Sequence, residues 1–95
     1  MIDNYILLGT FNLQNVVITD FTNNKYDKGI FIIVANKKDT TQYVGVSVGY
    51  DKRNENLGYL KENGIALNIS GNIYKNPRTS RILYIADTTE NIKRA

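Results

Sequence analysis

A chain of 95 residues suffices for one compact core and leaves no room for a second domain beside it; with 42% hydrophobic and 22% charged residues its composition is that of a folded protein. Lysine and arginine outnumber aspartate and glutamate by 12 to 9, giving net charge +3 and a pI near 9.2, which permits an acidic partner without naming one. Cysteine and histidine are both absent, which excludes disulfides, thiolate chemistry, the usual transition-metal ligands and the usual general base at neutral pH, so the expectation is a non-enzymatic protein without a cofactor.

The first strand is predicted over Tyr5–Leu13, rich in apolar residues and carrying Gly9 where a strand would bend. Val16-Val17-Ile18-Thr19 continues in β-branched residues, either as the far half of that strand beyond a bulge or as a short strand of its own. Asp20–Gly29 concentrates Asn, Asp, Lys and Gly and is predicted to be a loop. Ile30–Asn36 is almost wholly apolar, as in a strand covered on both faces, and Lys37-Lys38-Asp39-Thr40 makes a polar hairpin tip.

In Gln42–Tyr50, the third strand, Val44, Val46 and Val48 alternate with Gly45, Ser47 and Gly49. One face is aliphatic and the other nearly bare, which fits either tight sheet packing or a surface against which something flat lies. Asp51 can cap a helix over about Lys52–Asn63, with Leu57 and Leu60 facing the core and Gly64 ending it. The fourth strand, Ile65–Tyr74, points Ile65, Leu67, Ile69 and Ile73 inward, and Ala66, Asn68, Ser70, Asn72 and Tyr74 outward. A basic turn at Lys75–Thr79 leads into a fifth strand, Arg81–Ala86, and Asp87–Ala95 reads as a polar terminus.

Three strands, one short helix and two more strands is the element order of the OB-fold, a five-stranded, partly open all-β barrel. Residues 1–88 are assigned to that domain and 89–95 to a polar tail. The amino terminus lacks a basic leader region, and the longest apolar run, Ile30–Ala35, is far below the ~20 residues of a membrane helix, so a cytoplasmic protein is expected.

Tyr50-Asp51-Lys52-Arg53-Asn54-Glu55-Asn56-Leu57-Gly58-Tyr59-Leu60-Lys61-Glu62-Asn63-Gly64, followed seven residues later by Gly71, resembles one block of the bacterial and phage single-stranded DNA-binding proteins. In that family the block commonly reads aromatic-Gly-Lys-Leu-Ala-Glu-Asn-Val-Ala-x-Tyr-Leu-Lys-Lys-Gly. Ile6-Leu7-Leu8-Gly9 is similar to the family's opening strand, and Phe31–Ala35 falls where its second strand lies. Asp51 stands where the family has glycine, no tryptophan is present, and the chain ends Lys93-Arg94-Ala95 in place of the family's acidic recruitment tail. The resemblance implies sequence-tolerant binding of single-stranded DNA in replication or recombination by a homo-oligomer, a dimer or tetramer.

Such binding needs aromatic faces for bases and cations for phosphates. Tyr43 occupies the family's stacking position on the third strand and shares a face with Gly45 and Ser47. Tyr50 matches a second aromatic position, but reaches that face only if a bulge at Gly49 resets the alternation. Tyr74 points outward beside the basic turn. Tyr84 is expected to serve the core, Tyr59 to pack within the helix motif, and Tyr5, Phe11 and Phe31 to be core. Lys37 and Lys38 at one hairpin tip, with Lys75, Arg78 and Arg81 around another, are expected to bracket the tyrosine face from opposite ends; Lys52 joins this set, and Lys25 and Lys28 are weaker members. The competing reading is an OB-fold interaction or primosome-accessory module whose bare face pairs with a partner. A nuclease using Asp39, Asp51 and Asp87 has no metal-ligand motif to support it.

Overall fold

A computed structural model of the protein describes residues 4–24, 29–48, 57–86 and 91–95. Their elements in chain order are β1 (Ile6–Asn24), β2 (Gly29–Asn36), β3 (Tyr43–Val48), α1 (Leu57–Glu62), β4 (Leu67–Lys75), β5 (Ile82–Ala86) and β6 (Ile92–Arg94). The fold is mainly β, with one short helix between the third and fourth strands, as the sequence predicts.

Val16–Thr19 belongs to β1, which settles the two alternatives the sequence left open. At 19 residues β1 is far longer than the usual ~5–6, and its register shifts between Leu7 and Gly9, Leu13 and Val16, and Ile18 and Asp20 let it bend. Its first part pairs with β4, from Ile6 opposite Lys75 to Val16 opposite Leu67. Its second part pairs with β2, from Val16 opposite Asn36 to Asn24 opposite Gly29. The middle shift contains Asn15 in the left-handed region at φ 57°, a conformation that Asn tolerates better than other side chains. Its amide donates to Asn68 Oδ1 at 3.1 Å, and its carbonyl accepts from the Lys37 amide at 3.2 Å.

Hydrogen-bonded neighbours therefore run β1–β2–β3–β5–β4 and return to β1, a closed ring of five strands in which only β3 and β5 are parallel. Phe11, Ile18, Ile32, Val34, Val46 and Ile69 are among the side chains that fill its interior, and α1 adds Leu57 and Leu60, both buried. Gly64 ends the helix at φ 58°, donating to the Lys61 carbonyl, while the Ile65 amide reaches back to Leu60.

The predicted loop at Asp20–Gly29 is shorter than expected, because Asp20 to Asn24 remain paired with β2. Turn-prone side chains do not prevent a backbone ladder when the partner strand supplies the apolar face. The carboxy terminus is likewise not wholly a polar tail: Ile92 packs against the core, and β6 pairs with β4 from Leu67 opposite Arg94 to Ile69 opposite Ile92. The helix occupies the last part of its predicted span, with Asp51–Asn56 outside the described residues. Tyr59 does not pack inward; it lies two residues from Leu57, on the far side of α1, and is exposed.

Gly71 is fixed by close approach. A Cβ there would overlap the Ile85 carbonyl and sit 3.0 Å from Phe11 Cε1, whose ring meets Tyr84 edge-on at a centroid distance of 5.2 Å. Gly71→Ala is expected to destabilise the fold by about 1–3 kcal/mol through overpacking against a backbone that cannot retreat, measured by denaturant unfolding.

Candidate nucleic-acid interface

Strand register decides which side chains share the outer surface. Inward-facing Val44, Val46 and Val48 of β3 oppose Val34, Ile32 and Ile30 of β2, leaving Tyr43, Gly45 and Ser47 outside opposite Ala35, Ile33 and Phe31. Tyr43 is 71% exposed. Phe31, expected in the core, is 39% exposed on this same face, and its ring lies across Gly45. A Cβ on Gly45 would overlap Phe31 Cζ and come within 2.9 Å of Cε2 and 3.2 Å of Cε1, so the small residue is what allows the end of the ring to reach over β3. The bare face of β3 is thus a seat for an aromatic ring from the neighbouring strand. β2 is covered on both faces only toward Val34 and Ala35, while Phe31 at its other end is open.

The turn between β2 and β3 is tied by its own side chains. Asn36 Oδ1 accepts from the amides of Lys38 at 2.8 Å and Asp39 at 3.3 Å, and the Asn36 amide donates to the Gln42 carbonyl. Asp39 Oδ1 accepts from the Thr41 hydroxyl and amide, which together hold its carboxyl below the ordinary value of 3.8. Lys37 and Lys38 stand exposed on this turn.

The turn between β4 and β5 is built in the same way around Asn76. Its Oδ1 accepts from the Arg78 amide at 2.9 Å, its amide donates to the Arg81 carbonyl at 2.9 Å, and its carbonyl accepts from Ser80, which is left-handed at φ 61°. Asn76 Nδ2 also approaches Tyr5 Oη at 3.4 Å, anchoring the turn to the start of the chain, where Tyr5 is half-buried. Arg78 and Arg81 are exposed, and Lys75 is half-buried at the end of β4.

Because β3 and β5 are parallel, the turns that enter them open toward the same end of the ring, not toward opposite ends as the sequence suggests. Strand order then places Lys37 and Lys38 on the β2 side of Tyr43, and Arg78 and Arg81 on the β5 side. Tyr74 points outward, half-buried, opposite Leu7 on β1 and Leu83 on β5. Tyr84 packs against the core, as expected. Tyr50, Lys52, Lys25, Lys28, Asp51 and Asp87 lie outside the described residues.

Phe31 is the member of this surface that the sequence analysis missed. Its alternation with Ile30 and Ile32 was hidden because every residue from Ile30 to Ala35 is apolar; the readable signal was the small residues waiting on β3.

Among the described residues, no group of three His, Cys, Asp or Glu could hold a metal ion, and no helix is long and apolar enough to cross a membrane. In comparisons with known proteins, no family model, curated protein or solved structure matches the chain.

Thr41→Val removes the hydroxyl that contributes most to the lowered Asp39 pKa, so the carboxyl should titrate closer to 3.8, as followed by NMR. Because the folded value is depressed, the turn's extra stability is present above 3.8 and lost as pH falls through the folded value; the variant should lose less on acidification.

Proposed function

We propose that the protein is an OB-fold barrel that binds single-stranded DNA without reading its sequence. In this reading it protects the strand during replication or recombination, as a cytoplasmic homo-oligomer similar to the phage and bacterial single-stranded DNA-binding proteins. The observation that carries the reading is that Tyr43 and Phe31 share the outer face of β2 and β3, with the two turns that present Lys37, Lys38, Arg78 and Arg81 both at the Tyr43 end. The order of strands around the ring, with the helix between β3 and β4, supports the OB-fold, whose strand 2–3 face is where oligonucleotides bind.

The chemistry follows from the geometry. A base has a flat apolar face whatever its identity, and each stack on an aromatic ring contributes ~1–3 kcal/mol. Exposed phenol and phenyl rings on adjacent strands offer two such faces, and the Gly45 seat limits the freedom the Phe31 ring must surrender on binding. Cations on either side of Tyr43 attract the phosphates, and releasing their condensed counterions makes affinity fall with salt. Tyr74 extends the outer face across β4 toward β1, with Lys75 next to it at the end of the strand, and no catalytic or cofactor role is assigned to any of these residues.

Titrating a fluorescent oligothymidine with the protein tests this. Tyr43→Ala and Phe31→Ala should each weaken binding by roughly 5- to 150-fold, the equivalent of ~1–3 kcal/mol. If four phosphates meet the four turn cations, the slope of log affinity against log salt should be about −3. Gly45→Val should mimic Phe31→Ala by unseating the ring. Salt-independent binding, or an affinity indifferent to both aromatic substitutions, sinks the proposal.

A further inference from the structure

Alternation along the strands turns three incompletely covered side chains toward the inside of the ring. Ile6 on β1, Lys75 on β4 and Ile82 on β5 stand opposite one another, so all three point to one side of the sheet. That side is the interior, because Lys75 lies two residues beyond Ile73 and Ile82 two before Tyr84, and both of these pack against the core. Yet Ile6 is 50% and Ile82 47% exposed, and Lys75 is only half-buried. Among the described residues the ring is therefore open at the end where β4 finishes and β5 begins. Its other end is covered by α1, which lies in the chain between the end of β3 and the start of β4 and sends Leu57 and Leu60 into the core.

The opening is shallow. The next interior row holds Ile73, Tyr84 and Val46, and Phe11 meets the Tyr84 ring edge-on, so a long aliphatic chain has no depth to enter. What fits is a flat apolar group lying across Ile6 and Ile82. Between these two, the Lys75 ammonium has no hydrogen-bond or ion-pair partner among the described residues. Lys37, Lys38, Arg78 and Arg81 stand on the turns that open toward the same end. Of the described acidic side chains, Asp20 belongs to the ladder with β2, Glu62 to α1, and Asp39 is engaged by Thr41, so positive charge is in excess here.

A flat apolar group with an anion beside it is the chemistry of a nucleotide. The aromatic platform also leads to this place: Tyr43 faces outward, and its neighbour Val44 faces inward opposite Val34. Val44 and Ile82 each lie two residues before the registered pair Val46 and Tyr84, so a strand leaving Tyr43 has only the lip of β3 to cross before it meets Ile82. We propose that the open end of the ring is a further nucleotide site, in which one base of a bound single strand lies across Ile6 and Ile82 while a phosphate pairs with Lys75. The inference rests on the nucleic-acid reading and adds to it that the strand turns over the lip of the ring.

The test follows the methyl resonances of Ile6 and Ile82 by NMR as oligodeoxyadenosine is added to the full chain, with affinity measured in parallel. A purine lying over the opening moves both methyls upfield through its ring current, and the shifts should saturate together with binding. Ile82→Ser should weaken binding roughly fivefold, the effect of no longer covering about 40 Å² of aliphatic surface. Lys75→Met keeps the aliphatic stem and should reduce the slope of log affinity against log salt by about 0.7, one phosphate contact on a single strand. Circular dichroism checks that both variants fold, and the methyl titration needs no variant. Binding that depends on Tyr43 and Phe31 while the two methyls stay in place, or while Lys75→Met leaves the slope unchanged, overturns the further site and leaves the platform standing. If the parent binds no oligonucleotide, both fall.

Discussion

One strand has to belong to two partners, and the rest of the molecule follows from how it manages this. β1 can face β4 with its first part and β2 with its second only by bending between them, and three register shifts supply the bend. The middle one is secured by Asn15, whose left-handed backbone is tied to Asn68 on β4 and to Lys37 at the head of the β2–β3 turn. Those two bonds tie the bend in β1 both to the strand that closes the ring and to the turn carrying two of the candidate phosphate ligands. Ring closure then makes β3 and β5 neighbours, and their parallel pairing sends both cationic turns to one end.

Glycine marks the close approaches inside and outside this ring. Gly71 admits the Phe11 ring and the β5 backbone on the interior side, so its role is packing. Gly45 admits the far edge of the Phe31 ring on the outer side, so its role is to let an aromatic ring reach over β3 while part of it stays open. The same physical allowance, the absence of a side chain, serves stability in one place and presentation in the other. Which of the two applies depends only on the side of the sheet to which the position points.

That dependence explains what the sequence revealed and what it withheld. Clean alternation in Val44-Gly45-Val46-Ser47-Val48 made the faces of β3 readable, and Leu57, Leu60 and Gly64 announced the helix and its end. β2 carried no such alternation, so Phe31 could be assigned to a face only through its register with Ser47 and Gly45. Asp20–Asn24 looked like a loop because local side-chain preference was the only available signal, and it was outweighed by pairing with an apolar strand. Ile92 is a single apolar residue near the end of a polar segment, too little periodicity to announce β6. The cations were legible as residues but not as a constellation, since their common end follows from a parallel pairing between strands far apart in the chain.

The two halves of the proposed interface make unequal demands on the fold. Attraction between a cation and a phosphate acts over about a Debye length, roughly 8–10 Å at physiological salt, and tolerates a flexible side chain on an exposed turn. Stacking is short-ranged and works only when a ring offers its face, so a ring must be held in orientation before a base arrives. Asn36 and Asn76 need fix only the backbone from which lysine and arginine reach outward, whereas Phe31 needs a sheet, a register and a missing Cβ on the next strand. A positive turn can arise on almost any fold. The seated ring beside an exposed tyrosine requires this particular pairing of β2 with β3, and the proposed preference for a single strand with unpaired bases over a mere polyanion depends on it.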